Sequence, residues 1–301
     1  MKSIKYYLKK AQEEKFAIGQ FNFSDFTQMK AIVESCNNLK SPVILGTSEG
    51  ESKFFGLQEA VALRDVLRKK TGLPIFLNLD HGKSFEYLKE AIDAGYDMVH
   101  FDGSKLSLEE NIKTTKEVVK YARKRRLPAG RQVTVEGEVG RIGNDASRLY
   151  SEKFEIKEED LTKPAEAKEY MDETGVDLLA VSIGNFHGIE ISGIDPNLRL
   201  DVLAKIQEAL RQAQGKNSSE FLVLHGGSGT PEDDIKRAIK LGIVKININT
   251  ELRLAFSGNL RRFLVGNPEE IVPYKFLADA KNSVEKLVAR KIGLFGSSDK
   301  I

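Results

Sequence analysis

The sequence is nearly free of cysteine, since Cys36 is the only one among 301 residues. A single cysteine excludes an internal disulfide and suits a reducing compartment. No stretch is apolar enough to span a bilayer, and residues 1–15 have a charged helical pattern without the apolar centre of a secretory signal. These absences predict a cytoplasmic protein with no membrane partner.

An excess of one charge is also lacking. The chain carries 46 Lys and Arg against 44 Asp and Glu, for a net charge of +2. This balance gives no reason to expect nucleic acid as a partner. The one dense basic run, 123–126, has no interleaved aromatic residues, so we interpret it as the solvated end of a helix.

Short apolar runs rich in β-forming residues alternate along the chain with segments of helical period. The predicted strands are 16–23, 42–48, 74–80, 98–102, 133–139, 178–184, 221–224 and 244–248. The predicted helices between them are 27–38, 57–70, 85–94, 108–126, 164–174, 200–214 and 231–241. Strand and helix units that alternate in this way and close on themselves predict an α/β fold, the (β/α)8 or TIM barrel.

No linker or change in composition divides the chain, so residues 1–301 are predicted to form a single barrel domain. An extra C-terminal helix is expected at 282–292, followed by a loose end at 293–301. A doubly wound open sheet is the alternative fold. Its usual fingerprint is missing, because no G-x-G-x-x-G sequence follows the first strand.

Histidine is scarce, with four in the chain, yet three of them occur in the same setting. His81, His187 and His225 are each followed by glycine at the end of an apolar, β-prone run. If these strands belong to one barrel, the three imidazoles meet at its C-terminal face, where barrel enzymes place their active sites. Three protein ligands with a free fourth position are typical of catalytic zinc. His100 lies inside a strand and is interpreted as structural.

Acidic residues accompany these histidines. Asp102 and Glu138 stand at neighbouring strand ends, either as ligands of a second or alternate metal position or as acceptors for an imidazole N–H. Asp80 precedes His81, and adjacent residues of a regular strand point to opposite faces. Both reach one site only if the strand has ended by Asp80, which Gly82 would permit. Asp80 is then placed for proton transfer, and the alternative is that it caps the following helix.

A glycine-rich segment follows His225 and leads into a helix that is predicted to begin near Thr230. Glycines let backbone N–H groups approach an anion without an obstructing Cβ atom. After the eighth strand, Asn247 and Thr250 stand at the next helix start. Loops after the seventh and eighth strands of barrels frequently bind phosphate, so a phosphate site is predicted here.

These residues together resemble the class II, metal-dependent fructose-bisphosphate aldolases and the related tagatose-bisphosphate aldolases, over nearly the whole chain. The resemblance is carried by the strand-end motifs Phe21-Asn22, Thr47-Ser48-Glu49-Gly50, Leu79-Asp80-His81, Phe101-Asp102-Gly103-Ser104, 135–140, His187-Gly188, His225-Gly226-Gly227-Ser228 and 247–256. It implies a zinc-dependent enzyme that reversibly cleaves a ketose 1,6-bisphosphate, foremost fructose 1,6-bisphosphate, into dihydroxyacetone phosphate and glyceraldehyde 3-phosphate.

The resemblance also implies a role for each site residue. The implied zinc ligands are His81, His187 and His225. Asp80 would exchange the proton of the C4 hydroxyl, and Asp102 and Glu138 match a second or alternate metal position. The implied substrate-binding residues are Gly188, Gly226, Gly227, Ser228, Asn247, Ile248, Asn249, Thr250, Arg253, Asn22 and Ser48. The implied cofactors are zinc, a second divalent ion and a monovalent cation, and the implied assembly is a homodimer or a larger homo-oligomer.

Departures from the family pattern leave alternatives open. The loop after Gly140 lacks the usual acidic run, so the residue that handles the C3 proton is unassigned, with Asp145 as a candidate. Asn249 stands where fructose-specific members often have Asp, which keeps tagatose bisphosphate open as the substrate. Other functions compatible with these sites are a metal-dependent sugar-phosphate epimerase or isomerase, a Schiff-base aldolase that uses Lys245, and a non-catalytic phosphosugar-binding barrel.

Overall fold

The structure is a computed structural model and describes residues 1–125, 130, 132–142, 149–150, 157–190, 197–213 and 221–301. Its strands are β1 Ile18–Asn22, β2 Val43–Ser48, β3 Ile75–Gly82, β4 Met98–Phe101, β5 Thr134–Val139, β6 Leu149–Tyr150, β7 Leu178–Val181, β8 Ile189–Glu190, β9 Phe221–Leu224 and β10 Ile243–Ile248. Its helices are α1 Ile4–Glu14, α2 Phe26–Asn38, α3 Glu49–Phe55, α4 Leu57–Thr71, α5 Phe85–Ala94, α6 Leu108–Lys124, α7 Pro164–Thr174, α8 Leu200–Ala213, α9 Glu232–Lys240, α10 Thr250–Gly266 and α11 Pro273–Phe295. None of the helices in these described ranges is long and apolar enough to cross a membrane.

Eight parallel strands close into a barrel in the order β1-β2-β3-β4-β5-β7-β9-β10, and β10 pairs back with β1. Each barrel strand falls on one of the eight predicted strands. The predicted (β/α)8 barrel is therefore confirmed, and the open sheet is excluded because the sheet has no free edge. The strands β6 and β8 pair separately from the barrel. They were not predicted, since two residues are too few to show a periodicity.

The C-terminal helix is longer than predicted. α11 begins at Pro273, not at 282, and proline suits the first turn because the N–H that it lacks would have no helical partner there. The predicted loose end is also wrong. Ser297 is fully buried, and the backbone amides of Asp299 and Lys300 donate to the carbonyls of residues 39 and 40. These hydrogen bonds fix the end of the chain to the end of α2, and side-chain composition does not reveal them.

The interior of the barrel changes from apolar to polar along the strands. Near the N-terminal ends, inward residues pack with α1 in one buried cluster that includes Ile4, Leu8, Ile18, Phe76 and Met98. α1 therefore closes this end of the barrel. Further along the strands lie side chains that are polar and fully buried, namely Gln20, Asn78, His100, Glu136, His225 and Lys245. Buried polar groups are stable only with partners, and these partners lead toward the C-terminal face.

Two aspartates tie the N-terminal ends of the strands to the helices. Asp97, just before β4, accepts hydrogen bonds at Oδ2 from Arg64 at 2.8 Å, from Arg68 at 2.7 Å and from the amide of Leu77 at 2.9 Å. Its own amide donates to the carbonyl of Leu77. Asp177 repeats this arrangement just before β7. Each aspartate thus joins two neighbouring strands and a helix that precedes it, on the face of the barrel that serves stability.

Replacing Asp97 tests how much this buried ion pair with Arg64 and Arg68 contributes to stability. The Asp97→Asn substitution removes the negative charge opposite the guanidinium groups of Arg64 and Arg68, whose side chains are 3% and 11% exposed. Breaking a buried ion pair costs about 3–5 kcal/mol, so we expect the apparent free energy of unfolding in urea to fall by about 3 kcal/mol. The control is Asp65→Asn, which removes a 54% exposed partner of the same arginines and should cost under about 1 kcal/mol. Equal losses of unfolding free energy in the two variants would contradict the stabilising role that we assign to Asp97.

Candidate metal centre and active-site cleft

An irregularity at the end of β3 brings Asp80 and His81 to the same site. Leu79 and Gly82 are three residues apart, yet they pair with residues of β4 that are two apart, so β3 carries one extra residue here. His81 has a φ of 52°, in the left-handed region that non-glycine residues seldom adopt. The regular alternation of the strand is therefore broken, and two adjacent side chains converge instead of pointing to opposite faces.

The three strand-end histidines lie together. The ring centroids of His81 and His187 are 4.5 Å apart, those of His81 and His225 are 4.7 Å apart, and those of His187 and His225 are 5.8 Å apart. The rings are carried by β3, by the loop after β7 and by the residue after β9. Closure of the barrel thus brings three distant parts of the chain to one point.

Carboxylates fix two of these rings from behind. Asp102 Oδ2 lies 3.0 Å from His81 Nδ1, and Glu136 Oε1 lies 2.7 Å from His225 Nε2. An ionised carboxylate only accepts, so each one takes a ring N–H and leaves the other ring nitrogen as an acceptor. These two nitrogens, His81 Nε2 and His225 Nδ1, face each other at 2.9 Å. Two facing lone pairs repel unless a cation, either a proton or a metal ion, lies between them, and with His187 beside them the pair is a candidate metal site.

His187 contributes a third nitrogen. Its Nε2 is buried and has no hydrogen-bond partner among the residues that the structure describes. Burial and the neighbouring imidazoles hold the pKa of His187 well below its usual value, and burial lowers the pKa of His225 to about 3. Both rings are therefore neutral, the form that binds zinc. Burial also disfavours the charged form of His81, but Asp80 and Asp102 outweigh it and raise the pKa of His81.

A second group of candidate ligands lies on the far side of His81. Asp102 Oδ2 is 3.0 Å and Glu138 Oε2 is 3.8 Å from His81 Nδ1, and the three residues are close enough together to hold a metal ion. His100 also lies here, fully buried. Its Nδ1 accepts the backbone N–H of His81 at 3.1 Å, and its Nε2 lies 3.3 Å from Glu138 Oε2. The hydrogen bond at Nδ1 fixes the ring against the backbone of β3, which suits a structural role.

Asp80 is held beside these rings as an oriented acceptor. Asn22 and Asn247 donate to its two oxygens at 2.9 and 3.0 Å. Burial alone would raise the pKa of Asp80, but the charge of His81 and further imidazole contacts outweigh burial and hold this pKa well below its usual range. The alternative role as a helix cap does not apply, because Ser84 caps α5. Asp80 is therefore free to exchange a proton with a bound molecule.

The glycine-rich loop after β9 has no room for side chains. Gly226 has a φ of +61°, and a Cβ atom on it would lie 2.1 Å from the carbonyl oxygen of Phe186. A Cβ atom on Gly227 would clash with β10. The amide of Gly229 donates to Glu251 at the start of α10 at 2.8 Å. Close packing thus holds the loop at the mouth of the barrel, where its backbone can face an anion.

A cleft of about 370 Å³ opens over these groups. Its lining consists of Ser48, Glu49, Gly50, Lys53, Asp80, His81, Lys83, His187, Gly188, Gly226, Ser228, Asn247, Asn249 and Thr250. It combines candidate metal ligands, the oriented carboxylate, the glycine-rich loop and the start of α10. A polar cleft of this size suits a small ligand.

Some predicted binding residues lie apart from this lining. The side chain of Ile248 packs in the large apolar cluster between strands and helices, so that only its backbone can serve a ligand. Arg253 donates to Glu51 at 2.5 Å. Gly227 supports the loop by close packing, as described above. Asp145, the candidate for the C3 proton, lies outside the described residues.

Three buried groups beside the site were not among the predicted site residues, although Lys245 was considered for a Schiff-base aldolase. Glu51 caps α3 together with Ser48 and accepts hydrogen bonds from site residues. Glu136 contacts His225, and Lys245 donates to Glu136 at 2.7 Å. For Glu136 and Lys245, the available signal was a charged residue inside an apolar strand run. It shows that a charge is buried, but its partner follows only from the register of the barrel.

A parallel (β/α)8 barrel with gathered imidazoles and carboxylates at its C-terminal mouth defines a metal-dependent barrel enzyme. The family described as Fructose-bisphosphate aldolase class-II matches residues 2–300. The chain therefore belongs to the class-II fructose-bisphosphate aldolase family, and it is an aldolase, a lyase.

Similar proteins span the full length of the chain. The probable fructose-bisphosphate aldolase of Bacillus subtilis (strain 168) is 36% identical over 97% of this chain and 96% of its own. The fructose-bisphosphate aldolase of Geobacillus stearothermophilus is 36% identical over 99% of this chain and 98% of its own. The crystal structure of the YdjI aldolase from Escherichia coli K12 matches with a TM-score of 0.79 at 30% identity, over 100% of this chain and 99% of that chain.

A pair of substitutions tests the metal site. His187→Ala removes a candidate ligand nitrogen, whereas Asp80→Ala removes a neighbouring carboxylate that we assign to proton exchange and not to the metal. Loss of an outer partner alone costs about 10- to 100-fold in metal affinity, so we expect His187→Ala to weaken zinc binding by at least about 100-fold. Asp80→Ala should retain one zinc per chain. Elemental analysis measures the zinc content of each variant, and competition with a chelator measures its zinc affinity. Stoichiometric zinc in His187→Ala would refute the ligand assignment.

Proposed function

We propose that this chain is a zinc-dependent aldolase that reversibly cleaves fructose 1,6-bisphosphate into dihydroxyacetone phosphate and glyceraldehyde 3-phosphate. The observation that carries the proposal is the gathering of three imidazoles, an oriented carboxylate and a glycine-rich loop suited to phosphate, with His81 and His187 lining one cleft and His225 buried against His81. The full-length similarity to proteins named fructose-bisphosphate aldolase supports the substrate class.

His81, His187 and His225 would hold the zinc ion. The facing nitrogens of His81 and His225 and the unpartnered nitrogen of His187 fit an ion of this kind. When bound, zinc supplies a Lewis acid that stabilises the negative charge left on the substrate by carbon–carbon cleavage, an effect of several kcal/mol. Asp102 and Glu138 offer a second or alternate position for a divalent ion, and family resemblance alone extends the proposal to a monovalent cation.

Asp80 exchanges the proton of the C4 hydroxyl. Cleavage requires that this proton leave as the C3–C4 bond breaks, so a carboxylate must lie beside the hydroxyl. The low pKa of Asp80 keeps the carboxylate ionised, and Asn22 and Asn247 orient both of its oxygens. Asp145 remains the candidate for exchange of the C3 proton.

One phosphate binds where the loop after β9 meets the start of α10. The N-terminus of a helix and a glycine-rich loop both direct backbone N–H groups at an anion. The residues that we assign to this half of the substrate are Gly188, Gly226, Gly227, Ser228, Asn247, Ile248, Asn249 and Thr250. Six of these residues line the cleft. Gly227 lies next to the lining in the same loop, and Ile248 can contribute only its backbone.

The other end of the substrate lies toward Ser48, with Arg253 and Asn22 beside it. Ser48 lines the cleft, and Lys53 and Lys83 add positive charge at the same rim. Arg253 is already paired with Glu51, which also accepts from Asn22. Binding of a remote phosphate supplies the energy that orients the reacting carbon.

Tagatose 1,6-bisphosphate is the second candidate substrate. The observation in its favour is Asn249, which lines the cleft in place of the aspartate of many fructose-specific members. Its side-chain oxygen is buried and has no hydrogen-bond partner within the described part of the chain. An amide there donates as well as accepts, which changes the hydrogen bonds available to a hydroxyl epimer.

The proposal extends to assembly and location. α10 has only Thr250 and Leu252 buried. Val265 in its last turn is 83% exposed, and Ile271 and Tyr274 after the helix are 84% and 74% exposed. Apolar side chains exposed together mark a protein interface, which supports a homodimer or larger homo-oligomer of single-domain chains of residues 1–301. The single buried cysteine supports a cytoplasmic location.

The oligomer has a direct test. We expect sedimentation of the wild-type protein at micromolar concentration to show a dimer or larger species. A Val265→Glu and Ile271→Glu double variant should shift it to the monomer, because two buried charges would face the interface. A wild-type monomer under these conditions would contradict the interface.

An assay of the zinc-loaded protein tests the activity. We expect triose phosphate to form from fructose 1,6-bisphosphate, to stop with a chelator and to resume with added zinc. Asp80→Ala, which keeps its zinc, should lose about 10²- to 10⁴-fold in kcat, the usual contribution of a proton-transfer group. Faster cleavage of tagatose 1,6-bisphosphate would transfer the substrate assignment to that epimer. Zinc-loaded protein that cleaves neither would contradict the proposal and favour an epimerase, an isomerase or a phosphosugar-binding barrel.

A further inference from the structure

A buried chain of charges runs from the barrel interior to the metal site. Lys245 Nζ lies 2.7 Å from Glu136 Oε2, and Glu136 Oε1 lies 2.7 Å from His225 Nε2. The side chains of all three residues have 0% exposure. They come from β10, β5 and the residue after β9, so that closure of the barrel alone brings them together.

Neither Glu136 nor Lys245 contacts the cleft. Both are absent from its lining, and both lie in the buried polar layer that also contains His225. Lys245 therefore cannot reach a substrate carbonyl, which removes the Schiff-base alternative. Their hydrogen bonds reach the site through His225.

The hydrogen bond of Glu136 selects one tautomer of His225. A carboxylate has no proton to donate, so Nε2 must carry the ring proton, and Nδ1 keeps its lone pair. This Nδ1 is the nitrogen that faces His81 Nε2 at 2.9 Å. A partner that could donate, such as an amide, would allow the opposite tautomer and place a proton where the metal must bind.

Lys245 stabilises the buried carboxylate of Glu136. An isolated carboxylate is very costly to bury, and a paired, hydrogen-bonded one is not. Lys245 occupies the second oxygen of Glu136 and leaves the first for His225. The lysine thus supports the acceptor role of Glu136 from the side away from the cleft.

We propose that Glu136 and Lys245 are positioning residues that set the tautomer of His225 and thereby present its Nδ1 to the metal. The inference rests on the metal site of the proposed function. Its readouts are zinc affinity and ring tautomer, so that its failure is distinguishable from a failure of aldolase turnover.

The test compares Glu136→Gln, Lys245→Met and the double variant with the wild-type protein. We expect each single variant to bind zinc about 10- to 100-fold more weakly, the usual effect of losing an outer partner of a ligand histidine. Each should also lower the Tm of the zinc-free protein, because one buried charge is left without its partner. The double variant removes both charges, so its Tm should recover while its zinc affinity stays low.

Nitrogen-15 spectra of the histidines add a direct readout. In the zinc-loaded wild type, His225, assigned from the spectrum of His225→Gln, should carry its proton at Nε2 and bind zinc through Nδ1. Asn78→Ala is the matched control, since Asn78 lies in the same buried layer but bonds to Gln20. It should lower the Tm and leave zinc affinity unchanged. Wild-type zinc affinity in the double variant, or a proton at Nδ1 of His225, would overturn the inference and leave the aldolase assignment intact.

Discussion

Two imidazole nitrogens that face each other at 2.9 Å are the feature on which the rest of this site depends. A carboxylate behind each ring, Asp102 for His81 and Glu136 for His225, commits the outer nitrogen to donating and leaves the inner nitrogen with a lone pair. Such an arrangement is unfavourable without a cation and favourable with one. The unpartnered nitrogen of His187 lies beside it, and the oriented carboxylate of Asp80 completes the set.

The barrel separates stability from chemistry along its axis. At the N-terminal end, α1 covers an apolar layer, and Asp97 and Asp177 clasp strands to helices. At the other end, inward positions carry charge, and each charge is held by a partner on another strand. Buried charges of this kind are costly by themselves, and their placement in one layer under the cleft fits the metal site that we propose.

Much of this could be predicted from the sequence because it depends on local patterns. The eight strands follow from apolar runs, and the gathering of His81, His187 and His225 follows from their shared strand-end setting once a barrel is assumed. The convergence of Asp80 and His81 was expected from a strand that ends by Asp80, but β3 continues to Gly82, and a bulge with a positive φ at His81 brings the two side chains together.

What depends on register or on backbone contacts could not be predicted. The link between Glu136 and Lys245 joins strands far apart in sequence, and no periodicity pairs them. α3 was missed because seven residues are too few for a clear helical period. The anchored C-terminus, wrongly predicted to be loose, is fixed by amides of Asp299 and Lys300, which side-chain composition does not report.

X-ray absorption at the zinc edge tests the central claim most directly, because it reports the atoms bound to the ion whatever the enzyme does. We expect three imidazole nitrogens at about 2.0–2.1 Å and one further light ligand, the arrangement of a catalytic zinc with an open position. A first shell made chiefly of carboxylate oxygens, with fewer than three imidazoles, would contradict it.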